Sequence, residues 1–117
     1  MKRIIKFRGK SLHTGEWHYG NFMQVGDVCY IHEPGTAGFF TELETVGQFT
    51  DLYDKNGKEI YEGDLVQTPD GIAEITFCDG RFECYFIEYD DGGVCIGNYL
   101  QSSLKVVGNV YDKDFIE

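Results

Sequence analysis

Residues 73–89 read AEITFCDGRFECYFIEY, and this run decides the fold class. Ala73, Ile75 and Phe77 are expected inward and Glu74 and Thr76 outward, the period of two of a half-buried strand. Cys78-Asp79-Gly80-Arg81 follows. Asp-Gly between alternating segments is the strongest short signal for a hairpin, because its turn needs two residues that tolerate positive φ. Phe82, Cys84 and Phe86 then share one face of the returning strand. A two-residue loop at Asp79-Gly80 sets Ile75 opposite Cys84 and Cys78 opposite Arg81. Cys78 and Cys84 are not cross-strand neighbours in that register, which favours free thiols. The chain has 9 Phe, 8 Tyr, 1 Trp and 15 Gly in 117 residues, aromatics for a core and glycines for tight turns. The expected class is all-β, with minimal helix.

Toward the C-terminus, Asp90-Asp91-Gly92-Gly93 reads as a turn and residues 94–96 as the next strand. Residues 99–103 suit one short helical or 3-10 turn, and residues 104–107 and 108–111 bring the chain back as a closing strand. The tail, 112–117, is acidic, with Phe115 and Ile116 able to dock.

Toward the N-terminus lies VGQFTDLYDKNGKEIYEGDLV, residues 46–66. Asp54-Lys55-Asn56-Gly57 is a type I turn with Gly57 at the left-handed position. Glu62-Gly63-Asp64 is a second turn that launches a strand over 64–67. The acids and Asn56 look ligand-like, but a calcium loop with Gly57 at its sixth position would put Leu52 at position one and Gly63 at position twelve. Both places require a ligand oxygen, so the calcium reading fails. The turn residues Asp54, Asn56, Gly57, Gly63, Asp79 and Gly80 are therefore read as structural.

The first third is less regular. Residues 4–8 suit a strand with Ile5 and Phe7 on one face, and residues 17–22 a second with Trp17 and Tyr19 sharing a face. A turn at Thr14-Gly15 joins them as a hairpin. Residues 28–31 read as another strand, Gly38-Phe39-Phe40 as a loop or a short return, and residues 41–45 as a segment with room for one helical turn. Phe39 and Phe40 suit either a contact surface or a plug at a barrel end.

The long central run, the opening Ile5-Lys6-Phe7-Arg8 and the closing Val107-Gly108-Asn109-Val110-Tyr111 together resemble the YopX family of phage and prophage proteins, over essentially the whole chain. Asp51 departs from the pattern, since the family usually carries Gly there. Asp is among the few residues that tolerate a positive φ. The resemblance implies a small β protein with a C-terminal part similar to an SH3-like barrel, and it brings no established activity and no site residues. The order of strands and turns also fits such a barrel. The expected organisation is an N-terminal β lobe, 1–50, and an SH3-like domain, 51–117, or one continuous core.

Charge bounds the function. The chain carries −10, yet Lys2, Arg3, Lys6, Arg8 and Lys10 are half of its ten basic residues. Residues 11–117 hold five basic side chains against twenty acidic, a balance of −15. Such a body repels a polyanion, so broad nucleic-acid binding is disfavoured. The N-terminus lacks the apolar core of a signal peptide and no run is long enough to span a membrane, so a cytoplasmic protein without a membrane partner is expected. The four cysteines lack a C-x-x-C, and no metal or cofactor is expected. His13, His18 and His32 are flanked by no nucleophile motif, and Gly92-Gly93 by no Lys and helix, so no enzyme is expected.

Three functions rank in order. The first is a non-enzymatic protein-interaction module presenting Trp17, Phe39, Phe40 or Tyr61, with a homo-oligomer among its expected partners. The second is an acidic decoy that imitates nucleic acid before a basic host or phage protein. The third is a nucleic-acid contact through Lys2, Arg3, Lys6 and Arg8, although basic residues there also suit a strand edge protected against pairing.

Overall fold

The structure, a computed structural model, describes residues 3–86 and 93–112. It is built from antiparallel strands and single 3-10 turns, which establishes the all-β class. The chain forms two compact units, residues 1–49 and 50–117.

In the N-terminal unit the strands are β1 (Phe7–Lys10), β2 (Trp17–Val25), β3 (Val28–His32) and β4 (Phe39–Phe40), followed by a 3-10 turn, Leu43–Thr45. β5 (Gly47–Tyr53) begins here, and its first residues pair with β1, giving the order β4-β3-β2-β1-β5. The first strand starts three residues later than expected, so Ile5 is exposed rather than facing inward with Phe7. Ser11 organises the β1–β2 turn: its hydroxyl accepts the backbone N–H of His13 at 3.1 Å and of Thr14 at 3.3 Å. Gly20 marks a close approach of chains, because a Cβ there would lie 2.2 Å from the His32 carbonyl oxygen. Only glycine fits that contact. Of the loop and the short return open to Phe39-Phe40, the chain takes the return, a two-residue strand on β3 with Tyr30 opposite Phe40 and Ile31 opposite Phe39.

The C-terminal unit holds the rest of β5, which pairs with β6 (Glu59–Tyr61), and β7 (Asp64–Thr68), β8 (Gly71–Cys78), β9 (Arg81–Phe86), β10 (Gly93–Cys95) and β11 (Lys105–Asn109). Its sheet runs β10-β9-β8-β7-β11. The Asp-Gly hairpin forms in the register the alternation specifies, with Ile75 opposite Cys84 and Cys78 opposite Arg81. Asp79 and Gly80 both take positive φ, 54° and 79°, as that turn requires. Ala73, Ile75, Cys84 and Phe86 enter a core with Ile60, Val66, Ile96 and Leu104. Phe77 does not: it is 52% exposed, packed edge-to-face on Phe82 near the hairpin tip, where β8 outruns the core. Among the described residues the sheet stays open, with β10 and β11 at its ends, and no pairing closes it into the expected SH3-like barrel. Ile96 and Leu104, on the two 3-10 turns and irregular chain between β10 and β11, fill the core with side chains instead of a ladder. The turn expected at residues 90–93 and the docking of Phe115 and Ile116 fall wholly or largely outside the described residues.

Asp51 adopts φ +65°, a left-handed conformation that Asp tolerates better than most residues. Three residues on, Asp54 is 1% exposed and ties three parts of its unit together. Its Oδ1 accepts the N–H of Asn56 at 2.8 Å and of Lys58 at 2.9 Å, fixing the turn, while Oδ2 accepts the N–H of Val106 at 2.9 Å from β11. Its carbonyl accepts Gln101 Nε2 at 3.0 Å, and Lys55 N–H donates to Leu104 O at 2.9 Å. Burial pushes the Asp54 carboxyl up, but the N–H groups of Val106, Lys58 and Asn56, with the charge of Lys58, together outweigh it and hold it below the usual carboxylate range.

The cysteines are free: Cys29 and Cys84 buried, Cys95 half-buried, Cys78 exposed. Cys29 Sγ donates to Thr41 O at 3.3 Å. Burial, then the neighbouring Cys95, pushes the Cys84 thiol up to about 12, which leaves essentially no thiolate at neutral pH.

Two outcomes are expected. Asp54→Asn should cost about 3 kcal/mol at neutral pH, because a carboxylate that satisfies three N–H groups is replaced by a group that cannot. Since the folded pKa lies below the unfolded one, this advantage is full above about pH 4 and is lost as pH falls through the folded value. Urea melts of both proteins between pH 7 and pH 2 check this, and a difference that does not shrink in acid would contradict it. Under native conditions a maleimide should label Cys78 well before Cys84 and Cys29, as read by peptide mass spectrometry.

Candidate interaction surface

In the N-terminal unit, a two-residue turn at Gly26-Asp27 closes the β2–β3 hairpin and sets Val25 opposite Val28 and Met23 opposite Tyr30. Strand alternation puts Met23, Val25, Val28 and Tyr30 on one face, and Phe40 of β4 extends it from its place opposite Tyr30. The other face carries Ile31 and Cys29, both buried. Among the described residues this face is left largely exposed: Val25 is 69% exposed, Phe40 51%, Val28 50% and Met23 47%, while Tyr30 is half-buried against Gly38. Tyr30 and Phe40 meet edge-to-face with centroids 6.0 Å apart. They line a cleft of about 250 Å3 with Ala37 and Gly38.

Along β1 and the start of β2 the same alternation brings cations over an aromatic ring. Lys10 is opposite Trp17 and Arg8 opposite Tyr19. The Arg8 guanidinium lies 4.5 Å from the Trp17 ring centre and the Lys10 ammonium 5.6 Å. The Lys6 ammonium lies 5.2 Å from the Phe49 ring centre. Such contacts hold a cation in place by the ring's negative face.

These positions redistribute the residues singled out in the sequence. Phe40 is on the open surface. Trp17 is half-buried beneath Arg8 and Lys10. Phe39 turns away from Phe40 and stacks on the His18 ring, with centroids 3.6 Å apart and planes 9° from parallel. Tyr61 is 2% exposed, donates its hydroxyl to Glu59 Oε1 at 2.8 Å, and so offers no partner a surface. Arg3 is exposed, Lys6 half-buried and Arg8 buried; Lys2 lies outside the described residues. Asp54, Asn56, Gly57, Gly63, Asp79 and Gly80 all occupy turns or their first strand residue's approach. The sequence missed Met23, Val25 and Val28 because an exposed strand face and a buried one have the same period of two.

His18 Nδ1 meets Glu33 Oε1 at 3.0 Å and its ring is covered by Phe39, while Cys29 bonds to Thr41, so His and thiol have separate partners. Among the described residues, no three His, Cys, Asp or Glu side chains converge as a metal set. Among them too, no helix is long and apolar enough to cross a membrane.

The chain shares its fold with a crystal structure of protein EF1440 from Enterococcus faecalis, at 27% identity and a TM-score of 0.56, over 93% of this chain and 94% of that one. No curated protein matches it in sequence. A family model, described as YopX protein, matches residues 6–114. That span takes in both compact units and the turn anchored by Asp54, and the chain belongs to the YopX family.

Proposed function

We propose that this YopX-family chain is a non-enzymatic protein-interaction module that binds through the outer face of β2, β3 and β4. The observation that carries this reading is the contiguous row Met23, Val25, Val28 and Phe40, exposed on a regular strand ladder. Apolar side chains exposed singly are ordinary, but a row of them on a rigid sheet is the form an interface takes. Tyr30 and Phe40 add the aromatic anchors that interfaces favour. The phage and prophage setting of the resemblance makes the partner a host or phage protein in the cytoplasm.

Two observations weigh against the other readings. Asp54 and Asp64 are buried, and Tyr61 N–H donates to Asp64 Oδ2 at 2.7 Å, so these carboxylates serve the backbone rather than a phosphate-like array. Arg8 is buried on Trp17, which takes a central cation out of the basic strand.

Immobilised protein should capture a partner from host lysate that survives high salt, because apolar contact is not screened. Val28→Asp and Phe40→Ala, checked for an unchanged circular dichroism spectrum, should weaken that capture about tenfold or more. Capture that vanishes with salt, or that both variants retain, would remove this face from the account.

A further inference from the structure

We infer that the segment Arg3-Ile4-Ile5 of one copy docks in a groove on the N-terminal unit of a second copy, so that the chain self-associates by an arm-in-groove contact separate from the β2–β3–β4 face. The segment and the groove have complementary chemistry. Ile4 and Ile5 are exposed, 48% and 58%, and precede β1 without secondary structure, next to the exposed cation of Arg3. The groove, about 450 Å3, is lined by Leu12, Leu43 and Thr41, with Asp27, Glu42 and Glu44 around them. Leu12 and Leu43 are themselves half exposed. The segment thus offers two aliphatic side chains and a cation, and the groove two leucines and three carboxylates. Burying both isoleucines removes apolar area from water, and the carboxylates fix which end of the segment enters where.

The same chain's arm does not reach this groove. Its root is pinned where Phe49 N–H donates to Lys6 O at 2.8 Å, and Lys6 lies on the Phe49 ring. From that root β1 carries the chain from Phe7 to Lys10 before Leu12 is reached. At about 3.3 Å per residue, Leu12 is about 17 Å beyond Phe7, and the arm leaves in the opposite direction. Arg3 to Ile5 span only about 10 Å when extended. The occupant is therefore a second copy. Since each copy carries one arm and one groove, the contact either closes reciprocally into a dimer or repeats around a ring.

Light scattering coupled to size exclusion tests this on the intact chain. The expected result is a mass of two or more copies that falls toward one on dilution. Ile4→Asp with Ile5→Asp, and separately Glu42→Lys with Glu44→Lys, should each raise the dissociation constant about a hundredfold. Both should leave the circular dichroism spectrum unchanged. Arg3→Glu should weaken the contact in the parent and strengthen it in the Glu42→Lys, Glu44→Lys background. Met23→Asp, on the proposed partner face but further from the turn that carries Asp27, should leave the mass unchanged, which separates the two contacts. A monomer at all concentrations would overturn the inference. So would an assembly that survives both pairs of substitutions, or one that only Met23→Asp dissolves.

Discussion

The carboxylate of Asp54 is the constraint on which the C-terminal unit depends. One oxygen closes the Asp54–Gly57 turn through Asn56 and Lys58, and the other takes the N–H of Val106, fifty-two residues away. A carboxylate that is 1% exposed is stable only when its oxygens are satisfied, and backbone donors do this without adding another buried charge. The result is a single atom group that decides where β11 lies beside β7. The neighbouring bonds from Gln101 and Lys55 hold the 3-10 turns to the same point, which carries Leu104 into the core. Asp64 does a smaller version of this work for the second turn, accepting Tyr61 N–H.

The N-terminal unit solves a different problem. Its sheet is covered by buried Ile31 and Cys29 on one side, and the cations of its first strand lie on aromatic rings rather than projecting as a basic patch. Its exposed surface is mixed: polar residues such as Asn21, Gln24 and Asp27 reach water beside an apolar part, the outer row of β2, β3 and β4 and the isoleucines ahead of β1. An apolar row exposed on a regular sheet is the feature on which the proposed interaction face rests.

Much of the fold was legible because its signals are local. Asp79-Gly80 admits a two-residue turn and little else, so the β8–β9 register followed from the chain alone, down to Ile75 against Cys84. Gly57 at φ +78° and Gly63 at φ +93° were equally local. Phe77 was misread because alternation tells which side of a strand a residue is on, not whether that side is covered at that point. Phe39-Phe40 is too short to have a period of its own, which leaves loop and short return open in the sequence; pairing with β3 decides for the return. Tyr61 was offered as a contact residue for its ring alone, and burial withdrew it.

The sequence by itself determined the all-β class, the family, the main turns and the free state of the cysteines, since each rests on residue type and short spacing. Tertiary structure decided the rest. Closure of the C-terminal sheet depends on whether distant edges meet, and among the described residues β10 and β11 remain its two ends. The candidate surface depends on which of two strand faces is covered, a property of the surrounding chain that no strand's own pattern contains. The bond from Val106 to Asp54 joins residues with no shared motif, and only folding brings that amide to that carboxylate.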